Sequence, residues 1–180
     1  YGDSWQGHPV IGSTADFVAQ AKQSGQALAA QVRRLVNAGA PHVVVAGTYD
    51  LSKTPWAVSI KQESLLADAS LRFNEGLLIA LNDLGNKVLY VDAAYYVNLY
   101  TSVPGAYSFT NAADPVCTSV DAGNGIGIGT GQVNSALCTA STLVSGANVD
   151  ADVFADKVYL SPSAHRQFGN YAYDKLRARW

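Results

Sequence analysis

The segment FADKVYLSPSAHR, residues 154–166, is the stretch around which the chain is organised. It opens with a small apolar patch, places Asp156 on a turn and leads into a last helix. Ser161 is a good helix N-cap, and Pro162 suits the first helical position because its missing N–H would have no partner there. The segment therefore predicts a loop that presents Asp156, followed by a helix over residues 162–177.

Two short apolar runs further upstream predict buried strands. They are VVVA at residues 43–46 and VLYV at residues 88–91, and both are rich in β-branched side chains. Such runs are typical of parallel strands that are covered on both faces. Amphipathic helical patterns precede, separate and follow them, and the one between them predicts a helix over about residues 60–84. The order helix, strand, helix, strand, helix predicts an α/β fold in which the two strands are parallel and are neighbours or near-neighbours in one sheet.

Length and composition limit the possible classes of protein. With 180 residues, 48% of them hydrophobic, the chain is long enough for one domain with a core, and we expect residues 1–180 to form a single domain. A net charge of −2 without a basic stripe argues against nucleic acid as a partner. Neither His nor Cys occurs at metal-ligand spacing, so we expect neither a metal nor another cofactor.

The two cysteines bracket a glycine-rich stretch. Cys117 and Cys138 flank residues 123–131, inside a segment over residues 105–153 that lacks helix and strand patterns. We expect a disulfide that pins this segment as a long loop, although two free buried thiols are the alternative. A disulfide would indicate an oxidising compartment, and hence a secreted, periplasmic or cell-surface protein.

Several short motifs occur in a fixed order along the chain. They are GAPHVVV at 39–45, DLSKTP at 50–55, FNEGL at 73–77, YVD at 90–92, YSFTN at 107–111, ADPVC at 113–117 and LC at 137–138. Together they resemble one secreted branch of the SGNH/GDSL hydrolases, from about residue 15 to the C-terminus. The resemblance implies a three-layer αβα fold with a parallel sheet of the SGNH-hydrolase, flavodoxin-like type. It also implies hydrolysis of lipid or small acyl esters through a serine acyl-enzyme.

The segment DKVYLSPSAH is similar to the last conserved block of that family, Asp-x-Val-His-(Pro/Leu)-(Thr/Ser)-x-x-x-His. The resemblance puts Asp156 on the triad acid, Tyr159 on the catalytic histidine and His165 on a second, usually structural histidine. A phenol, which ionises near pH ~10, is a poor general base at neutral pH compared with an imidazole. A turn or cap role remains the alternative for Asp156, and we favour backbone bonding at the helix start for His165.

The nucleophile is the least certain part of the resemblance. Gly2-Asp3-Ser4 spells the family's nucleophile block and makes Ser4 a candidate, but no apolar strand precedes it. Residues 47–50 could be a degenerate Gly-x-Asn-Asp block with Tyr49 in place of the oxyanion asparagine, although residues 51–55 tie this strand to a later block, which we favour. We therefore expect the C-terminal portion of an SGNH-like domain with an incomplete sheet. The missing blocks would lie on an upstream segment or a partner chain.

Two functions follow from the resemblance and from the presence of Tyr159 where the family has its catalytic histidine. The first is a secreted ester hydrolase, or the C-terminal part of one, in which Tyr159 replaces the catalytic histidine; its substrate would be an ester or a lipid. The alternative is a non-catalytic relative that binds lipid, glycan or a protein partner through the same cleft. The sequence leaves open whether this chain is itself an enzyme.

Overall fold

The computed structural model describes the backbone of residues 4–5 and 8–9 and all of residues 13–180. The fold is α/β, as predicted, and short 3₁₀ turns join several of its elements. Among the described helices, none is both long and apolar enough to cross a membrane. In chain order the elements are β1 (Ser4–Trp5), β2 (His8–Pro9), α1 (Thr14–Asn37), β3 (Val43–Ala46), α2 (Pro55–Ile60), α3 (Glu63–Leu81), β4 (Val88–Val91), α4 (Ala93–Ser102) and α5 (Pro162–Arg179).

The central sheet consists of β3 and β4, which are parallel neighbours as predicted. Val43 pairs with Val88 and Ala46 with Val91, so the two strands are in full register. Within the described residues this sheet has only two strands, and β1 and β2 form a separate antiparallel pair. Val44 of β3 is 43% exposed. The sheet therefore has the incomplete form that the sequence predicts.

Helices α1 and α3 pack closely against each other and against one face of the sheet. A capping box begins α1: the Ser13 side chain accepts the N–H of Asp16, whose carboxylate in turn accepts the N–H of Ser13. Gly25 and Gly76 lie where the helices touch, because a Cβ on either would strike a backbone carbonyl of the other helix. The core between them and the sheet contains Ala29, Val32, Val45, Leu77 and Leu81.

The helix predicted over residues 60–84 corresponds to α3, Glu63–Leu81, and a short helix that the sequence analysis did not predict, α2, precedes it. Thr54 caps α2 through its side chain and Pro55 occupies the first turn, a start that the apolar spacing does not reveal. Lys61 ends α2 in a left-handed conformation with φ 55°. After α3 the chain continues as a 3₁₀ turn, Asn82–Lys87, which is kinked at Gly85.

A second core joins α4 and α5 to the long loop region. Its buried members are Val97, Tyr100, Phe109, Val153, Phe154, Leu160 and Ala164. Helix α5 begins at the predicted residue, with the Ser161 hydroxyl accepting the N–H of Ala164 at 3.1 Å, and it runs two residues further than expected. This core fixes residues 153–161 beside the main body of the protein. The N–H of Trp56 donates to the Lys157 carbonyl at 2.9 Å and adds a link to α2.

Candidate functional site

The Asp156 segment is a tight turn rather than an open loop. Phe154 and Leu160 pair in antiparallel fashion on either side of it. The N–H of Ala155 donates to the Tyr159 carbonyl at 2.8 Å, which closes the turn on itself. Residues 151–156 are all buried, while the side chain of Tyr159 is 48% exposed. The turn therefore has a buried limb that carries Asp156 and an outer limb that carries position 159.

Three backbone N–H groups hold the Asp156 carboxylate, which is completely buried. Its Oδ1 accepts the N–H groups of Val158 at 2.8 Å and Tyr159 at 2.7 Å, and its Oδ2 accepts that of Ser135 at 3.0 Å. Three such donors satisfy a carboxylate that would otherwise be costly to bury. Asp156 thus orients its own turn and also ties it to the loop that carries Ser135.

Position 159 lies next to this carboxylate. Its backbone N–H, and not the phenol of Tyr159, is the group that contacts Asp156. The side chain lines a cleft, so the turn presents position 159 outward with the carboxylate behind it. Position 159 therefore combines access to the cleft with a nearby buried carboxylate.

Tyr49, which follows β3 after Gly47 and Thr48, anchors the turn. Its hydroxyl donates to the Val158 carbonyl at 2.5 Å. Burial, and next the charge of Asp156 and the neighbouring Tyr159, raises the pKa of Tyr49 far above its ordinary value. The hydroxyl therefore stays protonated and remains a hydrogen-bond donor across the neutral range.

Asn74 of α3 fixes the segment from which Tyr49 projects. Its side chain accepts the N–H of Thr48 at 2.9 Å and donates to the Thr48 carbonyl at 2.8 Å. Gly47 is required beside it, because a Cβ there would strike both the Asn74 amide oxygen and the Tyr90 hydroxyl. The Asp156 turn is thus connected through Tyr49 and Thr48 to the carboxyl end of β3, where open α/β sheets place their ligands.

A cleft of about 790 Å³ adjoins the turn. One wall comes from the segment 116–149 and the other from the Asp156 turn and the start of α5. Tyr159 and His165 both line it. His165 is exposed, and its backbone N–H donates to the Ser161 carbonyl at 3.0 Å in the first turn of α5, while the bonding of its side chain to nearby backbone stays a prediction.

The predicted disulfide is present. Cys117 and Cys138 are joined with an S–S distance of 2.06 Å, and the described residues contain no free cysteine. Inside the loop, Asp121 accepts the Asn134 amide at 2.8 Å and the N–H of Gly123 at 2.8 Å. These two hydrogen bonds, that of Asn134 first, lower the pKa of Asp121. The loop is therefore held by polar links as well as by the disulfide.

Ser4 belongs to β1, but its side chain lies outside the described residues, so its role as nucleophile stays a prediction. His42 precedes β3 and stacks on Trp180, with ring centroids 4.1 Å apart. It therefore lies at the amino end of β3, the end opposite to the one from which Tyr49 projects. Within residues 4–5, 8–9 and 13–180, no cluster of acidic, His or Cys residues could hold a metal ion.

Two contacts of the turn are not foreseeable from the sequence. The Ser135 N–H meets Asp156 across 21 residues of irregular chain, and no periodic pattern predicts such a pairing. Tyr49 enters the sequence argument only as a replacement for an oxyanion asparagine, whereas its hydroxyl is committed to the Val158 carbonyl. The signal that singles out Tyr49 in the sequence is that it stands where the family would have an asparagine. This signal does not indicate that its hydroxyl bonds the Val158 carbonyl.

The chain matches one family of known proteins. Residues 4–172 match the family of GDSL-like lipases and acylhydrolases. The match begins nearer the N-terminus than the motifs alone suggest, and it includes Ser4, Asp156 and Tyr159. A search of curated proteins finds no match to the chain. A match over most of the 180 residues shows that this chain belongs to the GDSL-like lipase/acylhydrolase family.

Proposed function

We propose that this chain carries the acid–base turn of a secreted GDSL-type ester hydrolase that works through a serine acyl-enzyme. Asp156 is the triad acid, and Tyr159 occupies the position of the catalytic base. The observation that carries the proposal is the buried Asp156 carboxylate, which orients position 159 toward the cleft through the 2.7 Å bond to its N–H. Membership of the hydrolase family supports an ester or a lipid as the substrate.

The chemistry requires a base at position 159. A serine hydroxyl attacks the ester carbonyl while the base takes its proton, and the base returns that proton to the departing alcohol. Water then attacks the acyl-enzyme by the same route, releasing the carboxylic acid and restoring the serine. An imidazole can shuttle the proton at neutral pH, whereas a phenol is poorly suited to do so. We therefore expect the tyrosine form to be a very weak esterase.

Two sources of the nucleophile are compatible with the fold. One is Ser4, which falls within the matched residues. The other is a serine on an upstream segment of the same protein or on a partner chain, which would also extend the sheet. The two-stranded sheet and the exposed Val44 support this second source, because so small a parallel sheet is rarely stable without further strands. In either case we take the described residues as part of one SGNH-like domain.

The disulfide supports the proposed location. Cys117–Cys138 joins two segments of an otherwise irregular loop, and such bonds persist in oxidising compartments. We therefore propose a secreted, periplasmic or cell-surface protein.

The decisive experiment compares nitrophenyl-ester hydrolysis by the wild type, Tyr159→His and Tyr159→Phe. Each form is assayed alone and together with any polypeptide that co-purifies, identified by intact mass. We expect Tyr159→His to raise turnover at least ~100-fold, the low end for general-base catalysis, and Tyr159→Phe to give no gain. Strong turnover by the tyrosine form, or no gain from histidine in a folded protein, would mean that position 159 is not the base position.

Two further variants of Tyr159→His assign the remaining roles. Adding Ser4→Ala should abolish the gain if Ser4 is the nucleophile, and should leave it intact if the serine lies on another segment. Adding Asp156→Asn should remove most or all of the gain while a substrate analogue still binds, as loss of a triad member does.

A non-catalytic binding protein is the second candidate function. Tyr159 itself favours it, because the family position for the base is filled by a residue that suits contact better than proton transfer. In that case Tyr159→His would leave turnover at background, and ligand binding in the cleft would be the property to measure.

A further inference from the structure

The wall of the cleft is formed by residues without charge. Among the described residues that line it, none is Asp, Glu, Lys or Arg, and His165 is the one titratable side chain besides Tyr159. Leu143, Val149 and Ile126 contribute apolar surface, as do the two half-cystines. A volume of about 790 Å³ falls in the range of about 300–1,000 Å³ that is typical of small-molecule sites. The cleft therefore suits an uncharged, largely apolar group.

Two of the polar side chains of the wall, those of Asn134 and Thr139, already have partners within the protein. The Asn134 side chain donates to Asp121 at 2.8 Å and accepts the N–H of Ala136 at 3.0 Å. The Thr139 hydroxyl lies 2.9 Å from that of Ser141. These two side chains are used in folding the loop, which leaves the side chains of Ser135, Tyr159 and His165 as the other polar groups of the wall. A wall with so few polar groups suits an apolar ligand better than a sugar, whose many hydroxyls each need a partner.

We propose that this cleft holds the acyl chain of the ester, and that Leu143 sets the length of chain that it accepts. The inference rests on the proposed function, since it places the ester group beside Tyr159 and the acyl chain along the wall formed by the disulfide loop. Leu143 is well placed for this role because its segment is fixed on both sides. Residue 143 pairs with Cys117, and the N–H of Val144 donates to the Val116 carbonyl at 2.8 Å.

The disulfide gives this wall its position. Cys117 is a member of the small buried core under the cleft, with Val116 and Ala155, and Leu143 packs against the same core. The N–H of Cys117 donates to the Ala155 carbonyl at 3.0 Å, one residue before Asp156. The acyl site and the acid turn are thus built on the same few residues. The acyl chain of the ester would lie against a surface that is directly continuous with the Asp156 turn.

The test measures binding and does not depend on turnover. The probes are methyl esters from methyl butanoate to methyl octanoate, titrated into the intact, oxidised protein by calorimetry. Affinity should rise about fourfold for each added methylene that is buried, and should level off once the cleft is full. Leu143→Trp should move this plateau to a shorter chain and weaken methyl octanoate at least ~10-fold, while Leu143→Ala should move it to a longer chain.

Val144→Trp is the matched control. Val144 is the next residue and is 44% exposed, and it does not line the cleft, so this variant should bind the whole series as the wild type does. Affinity independent of chain length would overturn the proposal, as would Leu143→Trp and Leu143→Ala that both bind like the wild type. Equal losses in the two tryptophan variants would also overturn it. None of these outcomes depends on whether Tyr159→His restores hydrolysis, so the failure of the acyl site and the failure of the catalytic turn are distinguishable.

Discussion

Residues 14–91 and residues 108–161 are stabilised in different ways. The first region contains two long helices on a parallel strand pair, and its core is a continuous set of aliphatic side chains. The second contains two 3₁₀ turns, isolated strand pairs and one disulfide, and it owes much of its shape to side chains that bond to backbone groups. The candidate site belongs to the second region, and Tyr49 and Trp56 link it to the first through hydrogen bonds to Val158 and Lys157.

This difference indicates where substitutions matter. In the first region many apolar contacts share the stabilisation, so the loss of one contact is tolerated unless it forces the helices apart. In the second region single groups hold distant segments, as the Asp156 carboxylate does for the turn and the Ser135 segment. A loop held by few links can position a site accurately while having little tolerance of change at those links.

Asp156→Ala should have the largest effect on stability. It leaves three backbone N–H groups in a buried place without their acceptor, and each such loss costs about 1–3 kcal/mol. We expect the free energy of unfolding to fall by about 3–4 kcal/mol in urea titrations. Asp150→Ala is the control, because Asp150 is exposed and pairs only with Arg166 at the surface, where a loss of under ~1 kcal/mol is expected. Similar losses in both variants would refute the role of the Asp156 carboxylate as a link.

Removal of the disulfide should rank second. The double variant Cys117→Ser, Cys138→Ser opens a loop with a sequence separation of 21 residues. In the chain-entropy account, a loop of this size contributes about 3 kcal/mol to the free energy of unfolding. Hydrogen exchange should show the loss concentrated in residues 116–149, with α1 and α3 protected as before. An even loss of protection over the whole chain would mean that the two regions unfold as one unit.

The first region is also the part that sequence patterns predict best. The strands at Val43–Ala46 and Val88–Val91 follow from β-branched runs, a short-range signal. Outside this region, the start of α5 follows from another such signal, an N-cap followed by proline. Helix α2 is missed in the first region because its Thr54–Pro55 start lies outside the apolar repeat, and Lys61 separates it from α3 through a left-handed conformation that no side-chain pattern requires.

The site was only partly predictable for a physical reason. The residues Asp156 and Tyr159 stand out through the family block, and the disulfide through its two cysteines. The contacts that organise them join Asp156 to Ser135 and Val158 to Tyr49, across 21 and 109 residues. Each is a single hydrogen bond between irregular segments, so neither leaves a period in the sequence. These two hydrogen bonds can therefore be recognised only in the folded structure.

Gly25→Ala tests the close approach in the first region. Its added methyl group would meet the Phe73 carbonyl, so α1 and α3 must separate, and overpacking of this kind costs about 1–3 kcal/mol. We expect a loss of about 2 kcal/mol by urea titration. Gly169→Ala in α5 is the matched control, since nothing lies within 4 Å of its added Cβ and helix propensity should raise stability by about 0.5–1 kcal/mol. If the free energy of unfolding fell in neither variant, α1 and α3 would adjust to the added methyl group without strain.

The smallest effect is expected at the core where the two regions meet. Tyr100 of α4 is 1% exposed and contacts the rings of Tyr107 and Phe109, with centroids 4.9 Å and 5.4 Å away. Burial, and next the neighbouring Tyr107 and Tyr96, raises the pKa of Tyr100 to about 12. An unfolded tyrosine loses its proton near pH ~10. Between those values the folded state therefore binds more protons than the unfolded state.

Because the folded state holds this proton more tightly, the stability that Tyr100 contributes is fully present below pH ~10 and is lost as the pH rises through about 12. Tyr100→Phe removes the titrating group while keeping the ring in the core. We expect the variant to lose less stability than the wild type between pH 9 and pH 11, measured by urea titration at each pH, with the difference emerging only above about pH 10. If the free energy of unfolding changed equally with pH in the two proteins, the core around Tyr100 would be open to water. The hydroxyl of Tyr100 would then ionise as readily in the folded chain as in the unfolded one.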